Sequence, residues 1–318
     1  MRSVVSPSLA KATERFVRAA RWCAVALPLA ACVPADEAIG TGSVQFTFTA
    51  SERTQEGVMD TETDRWSIHF DRIVLGFKTM TIGQIGVADV CSYRGRGAAT
   101  DVVFDPRAGV VQTFNGIQPV QCPDVGIIFG APSDTTTLGN GVRSQDLVEL
   151  ASGLPAHAIV EATVTEEPRL SNRPDSTRRI LLRFDSLRTS SRFGGCRAAA
   201  RGVQIVEGGR DRASVRFAAE NLFRDAISPR ARLRVRPFVQ ADREGDDDGV
   251  VTMAELDALP LAQIFDSSTY QLPNGTRSGS FGDFIRVLFR FSIMFRTEDG
   301  LCVGNEPGAE DEGEAPSP

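Results

Sequence analysis

The run Val44-Gln45-Phe46-Thr47-Phe48-Thr49 alternates apolar and polar side chains residue by residue. Successive side chains of a strand point to opposite faces, so such a run needs something apolar to cover one face and water on the other. The same pattern returns with Trp66, Ile68 and Phe70 on one face and Ser67, His69 and Asp71 on the other. Past Arg72 it breaks into Ile73-Val74-Leu75-Gly76-Phe77, as at a bulge or where a strand is covered on both faces. Further strands are expected at Val110–Phe114, Val125–Phe129, Ile159–Val164, Ile180–Phe184, Val203–Val206, Ala213–Phe217 and Leu233–Val239. Short strands set between Gly, Pro, Asn and Asp clusters predict a mainly β fold, an antiparallel β-sandwich of immunoglobulin-like or transthyretin-like kind. A short helical C-terminal segment accompanies it.

Helix signals are few. Asn221–Ala226 reads as a turn, and Met253–Leu259 as a short helix stopped by Pro260. Phe281–Phe295 fits two periods: Phe284, Leu288, Phe291 and Phe295 form a helical stripe, while Val287, Phe289, Phe291, Ile293 and Phe295 alternate. Ser280 with Asp283 has the spacing of a helix cap and favours helix. The polar stretch Ala131–Asn140 reads as an exposed loop.

The first 31 residues carry Arg2, Lys11, Arg15, Arg18 and Arg21 against one acid, Glu14, and run into the apolar stretch Trp22–Ala31. That stretch is shorter than the about 20 residues a membrane span needs, and basic region, apolar core and small residues follow in the order of a signal peptide. Leu29-Ala30-Ala31-Cys32 resembles the lipobox of bacterial lipoproteins, which implies cleavage before Cys32 and a diacylglycerol on its thiol. Val33 in place of Asp resembles the default outer-membrane sorting signal. The expected division is a signal peptide over 1–31, a tether over 32–42, a β-sandwich over 43–240, an EF-hand-like loop and helical segment packed on it over 241–302, and a disordered acidic tail over 303–318.

Once Cys23 leaves and Cys32 is acylated, Cys91, Cys122, Cys196 and Cys302 remain. An even number in an exported chain predicts two disulfides with three possible connectivities. Cys91–Cys122 with Cys196–Cys302 is favoured, because the first closes a short loop and the second pins the C-terminal segment.

Removing five bases and one acid takes the formal charge from −6 to −10. Against this trend, Arg169–Arg236 holds 17 arginines and six acids. The stretch could bind an anionic polymer. No aromatic interleaving accompanies it, and the exported chain has one lysine, Lys78, so arginines on the solvent faces of strands are expected instead and no nucleic-acid partner.

One motif carries chemistry. With Gly249 at the sixth position of an EF-hand loop, Asp246, Asp248, Val250, Thr252 and Glu255 fall at the third, fifth, seventh, ninth and twelfth, and Glu244 at the first. All-oxygen ligands suit one Ca²⁺, and the glycine permits the sharp turn. Aspartate is usual at the first position, so Glu244 must retract or bind through water, or Asp242 substitutes from a loop two residues longer. Thr252 and Glu255 also read as a capping box for the next helix. No entering helix is expected, since Leu233–Val239 reads as a strand.

The two histidines, His69 and His157, read as surface or satisfied side chains, and the sequence holds no nucleophile elbow, zinc-protease or phosphate-loop motif. Arg65–Phe70 with Ile73-Val74-Leu75, Arg179–Phe184 leading to Cys196, Asn221-Leu222-Phe223 and the Asp-rich loop ending in Glu255-Leu256 together resemble a family of uncharacterised exported lipoproteins of Gram-negative bacteria with a dockerin-like calcium loop. The resemblance implies a sandwich-like body and calcium binding, and it transfers no reaction. The function expected is a non-enzymatic binding or structural module, held to the outer membrane by its lipid and stabilised by one Ca²⁺, with an envelope glycan or protein as partner. A glycan hydrolase with paired carboxylates and an adhesin for anionic polymer are the alternatives.

Overall fold

The alternation in Val44–Thr49 is realised in β1 (Gly42–Ala50), where Val44, Phe46 and Phe48 are buried and the residues between them half-buried. The structure is a computed structural model that describes residues 40–59, 61, 64–82, 101–117, 120–122, 125–166, 177–185, 187, 189, 192–194, 203–228, 231–295 and 303–304. Fourteen further strands follow in chain order: β2 (Trp66–Ile82), β3 (Val102–Phe104), β4 (Val110–Ile117), β5 (Val120–Cys122), β6 (Val125–Phe129), β7 (Thr137–Leu138), β8 (Ala156–Glu166), β9 (Thr177–Asp185), β10 (Arg192–Gly194), β11 (Val203–Ile205), β12 (Arg210–Phe217), β13 (Val250–Thr252), β14 (Ile293–Phe295) and β15 (Val303–Gly304). The helices are α1 (Glu52–Glu56), α2 (Ser144–Ala151), α3 (Arg236–Glu244), α4 (Met253–Ala258) and α5 (Phe281–Phe289).

Two sheets carry the mainly β fold. One runs β14-β12-β1-β4; the other runs β13-β9-β8-β2-β6-β10-β15, with β3 beside β2 and β7 beside β3. Both are mixed and not purely antiparallel, since β1–β12, β3–β7 and β9–β13 pair in parallel. Alternation reports which face of a strand is buried, not the direction of its neighbour, so the sequence could not reveal this. One core joins the sheets: the Phe48 ring lies 4.9 Å from Phe77 and 5.8 Å from Phe104, and Phe289 of α5 stacks 4.3 Å from Phe184 and lies 5.8 Å from Phe217. Phe238, Val251, Leu256 and Phe281 belong to that same core.

The second sheet is also covered on its outer face. Leu150 of α2 packs with Val74, Val103, Ala156 and Ile159, so β2 and β8 are buried on both sides. This is why the alternation fails after Arg72, and a register shift between Phe70 and Arg72 supplies the bulge as well. Arg183 of β9 fixes α2 by donating to the carbonyls of Glu149, Leu150, Ser152 and Leu154 around the helix C-terminus, where a cation is favoured.

Three expectations are corrected. Leu233–Val239 is not a strand: Leu233 makes one isolated bridge to Arg224, and α3 begins at Arg236. Pro237 in its first turn gives up an N–H that a helix start leaves unpaired anyway, and Phe238, Val239, Ala241 and Asp242 then share one buried face. Phe281–Phe295 divides: helix to Phe289, a turn, and a strand whose Phe295 pairs with Val215, so each period is right for one half. Residues 303–304, expected to open the acidic tail, pair with β10 instead. Asn221–Ala226 forms a 3-10 turn over Ala219–Phe223 with what precedes it, and Met253–Leu259 is helical to Ala258. Cys32, Cys91, Cys196 and Cys302, the expected signal peptide and the rest of the acidic tail lie outside the described residues, and Cys122 is described only as the last residue of β5.

Candidate metal centre

The loop between α3 and α4 gathers the acids. At the start of α3, Asp64 Oδ2 accepts the N–H groups of Val235 at 2.8 Å and Arg236 at 2.9 Å; this carboxylate from a distant turn favours the helix N-terminus. The helix runs on to Glu244, the expected first ligand, which is not among the acids that converge. Its Oε1 instead accepts from Gln240 at 2.8 Å, one turn back and away from the loop.

Asp242 takes the inward position. It is fully buried, and its carboxylate meets those of Asp246 and Asp248, one ligand oxygen from each lying within 4.8 Å of the others. Backbone N–H groups close the loop onto them: Gly249 N–H donates to Asp242 Oδ1 at 3.0 Å, Asp247 N–H to the Asp242 carbonyl at 2.9 Å and Val250 N–H to Asp248 Oδ1 at 2.7 Å. The path needs left-handed backbone at Asp247 (φ 50°) and Gly249 (φ 85°), which glycine adopts freely and aspartate tolerates. Asp242, two residues before Glu244, is thus the acid that meets Asp246 and Asp248, and a helix, α3, precedes the loop where a strand was expected.

Thr252 and Glu255 serve the helix that leaves. Thr252 caps α4, its N–H donating to Glu255 Oε2 at 2.7 Å and its hydroxyl to the same oxygen at 3.0 Å. Glu255 Oε1 is buried without a hydrogen-bond partner among the described residues, and it faces Gly245, where a Cβ would come within 2.6 Å of it. A buried carboxylate oxygen left unmatched is costly. Val250 opens β13, in parallel register with Arg179 of β9. The neighbouring Arg178 enters the loop from the sheet, Nε donating to Asp242 Oδ2 and Nη2 lying 3.4 Å from Asp247 Oδ1. One guanidinium therefore stands against four loop aspartates, Asp242, Asp246, Asp247 and Asp248, of which the last three are exposed.

A second group of carboxylates lies on the outer face of the large sheet. Arg72 donates to Asp146 at 2.5 Å, Glu149 at 2.6 Å and Glu161 at 2.6 Å, and Arg179 reaches the other Glu161 oxygen at 2.6 Å. Burial would raise the Glu161 pKa, but hydrogen bonds from Arg179 and Arg72 outweigh it and hold the carboxyl below its usual range. A general acid needs the opposite shift.

The histidines stand apart. His69 is exposed, 3.9 Å from Asp71. His157 is wholly buried with its ring 5.4 Å from that of Phe289, and burial pushes its pKa down to about 4 against an opposing pull from Asp185. Several arginines of the 169–236 stretch are internal ties more than solvent-facing charges: Arg178, Arg183, and Arg234, which bonds Asp225 at 2.9 Å and pairs with Asp266 at 3.0 Å; Arg179 is exposed, as expected of a strand's solvent face. No protein-family model, curated protein or solved structure matches the chain.

Proposed function

We propose that this chain is a lipid-anchored protein of the bacterial cell envelope, on the outer membrane, acting as a non-enzymatic binding or structural module whose fold is stapled by one Ca²⁺. The observation that carries the calcium half is the convergence of Asp242, Asp246 and Asp248 in a loop turned by Gly249. Their carboxylates would hold the ion, with Glu255, Thr252 and the Val250 carbonyl as the further oxygens that the loop spacing offers, an all-oxygen set suited to a hard cation. Four loop carboxylates facing one guanidinium leave negative charge that a divalent ion neutralises. Glu255 Oε1, buried and unmatched, supports the same reading.

The staple has a mechanical reason. The loop joins α3 to β13 and α4, and Val251 and Leu256 at its far end are buried in the core. Fixing the loop therefore fixes α3 against the sheet edge at β13. Isothermal titration of the full chain should give about one Ca²⁺ per chain, lost in Asp246→Ala/Asp248→Ala; absence of heat in the unaltered chain would end the calcium reading.

The anchoring half rests on Leu29-Ala30-Ala31-Cys32 behind a basic and then apolar stretch. Metabolic labelling with a fatty-acid analogue should tag the product and fail in Cys32→Ser. An untagged product, with reduced thiols inside the cell, would overturn it.

A further inference from the structure

Beside the loop, but facing away from it, α3 forms one wall of a cavity of about 640 Å³, within the range of small-ligand sites. Arg236, Gln240 and Arg243 line it from α3, Gln263 and Phe265 from the segment opposite, and Trp66 from β2. Spacings of four and three residues along α3 place the three polar side chains on one helical face. Phe265 is 63% exposed. It is held in that position: its N–H donates to Gln240 Oε1 at 2.9 Å, Gln240 Nε2 donates to the Gln263 carbonyl at 2.9 Å, and the next residue, Asp266, has left-handed backbone (φ 59°) while pairing with Arg234.

The Arg236 guanidinium lies 5.8 Å from the Phe265 ring centroid, and neither Arg236 nor Arg243 has a carboxylate partner among the described residues. Both stand ready to donate to a ligand. Glu166 and Glu244 line the same cavity, so acceptors stand beside the donors. A polyanion would meet those two carboxylates. A polyhydroxylated ligand meets matched donors and acceptors around a flat apolar platform.

We propose that this cavity binds an oligosaccharide, with the C–H face of one sugar ring on Phe265 and its hydroxyls paired by Arg243, Gln263 and Glu244. The site is separate from the metal centre and stands whether or not the loop takes calcium. Trp22 and Trp66 are the two tryptophans of the chain, so in full chain carrying Trp22→Phe the emission of Trp66 reports on the cavity. Titration with chitotriose, cellotriose and a galacturonate trimer should give a saturable change with at least one of them and none with tripolyphosphate. Phe265→Ala should weaken that binding about tenfold or more, and Arg243→Gln at least several-fold, with melting temperatures unchanged because both side chains are exposed. No response to any of the sugars, saturation that survives Phe265→Ala undiminished, or a response to tripolyphosphate alone would overturn the proposal.

Discussion

The Arg72 cluster and the α3–α4 loop assemble the same groups, three carboxylates drawn to one place, and solve the repulsion differently. Around Arg72 the fold supplies the cation: one guanidinium bonds Asp146, Glu149 and Glu161 together, and Arg179 takes the oxygen left over. In the loop Arg178 reaches only the corner formed by Asp242 and Asp247, while Asp246 and Asp248 face solvent. Carboxylates converging on a built-in guanidinium are a structural joint, whereas carboxylates converging with charge left over are where the proposed ion would sit. Counting acids would not separate the two; the position of the cation does.

The largest effect is expected where the joint is broken. Arg72→Met leaves largely buried carboxylates without their counter-charge, and should cost about 3–5 kcal/mol, read as a fall in the denaturation midpoint that added Ca²⁺ does not restore. Recovery with calcium would mean that this cluster, too, takes ions.

Acid separates both clusters from the core. His157 binds a proton at about 4 when folded against 6.5 as an ordinary histidine, so the unfolded chain gains the proton first. Stability from this group is present above pH 6.5 and falls as pH drops toward 4, by about 3 kcal/mol in all. Denaturation midpoints between pH 7 and 4 should show the slope, and His157→Gln should flatten it whether or not calcium is present.

Arg178→Gln tests whether the loop holds one cation or another. Without calcium it removes the partner of fully buried Asp242 and should cost about 2 kcal/mol; with calcium much of the loss should return, and apparent calcium affinity should rise. Equal losses with and without the ion would place Arg178 in the same class as Arg72. The smallest effect belongs to Thr252→Ala, about 1 kcal/mol for a lost cap, read as a fall in the denaturation midpoint in chelator, since Thr252 caps α4.

The comparison also explains how much the sequence could tell. Periodicity located β1, the start of β2 and the core sides of β8, β9 and β12, because burial is written in alternation. It misjudged α3, since Leu233 and Val235 are both buried and mimic a strand before Pro237 starts the helix. That error hid the entering helix and with it the choice between Glu244 and Asp242, because only the helical phase decides which acid faces inward. Asp246, Asp248 and Gly249 were legible from spacing alone. Arg72 with Asp146, Glu149 and Glu161 was not, as the four are drawn from three elements far apart in sequence and no local pattern links them. The cavity beside α3 was equally hidden, since it depends on how residues 263–265 fold back onto Gln240.

The most direct test is the thermal melt of the full chain at pH 7 with chelator and with Ca²⁺ at about 100 times its dissociation constant. One bound ion predicts a gain of about 2.7 kcal/mol in calcium, absent in Asp246→Ala/Asp248→Ala. An identical melt in both conditions would contradict the claim that this loop is a metal site.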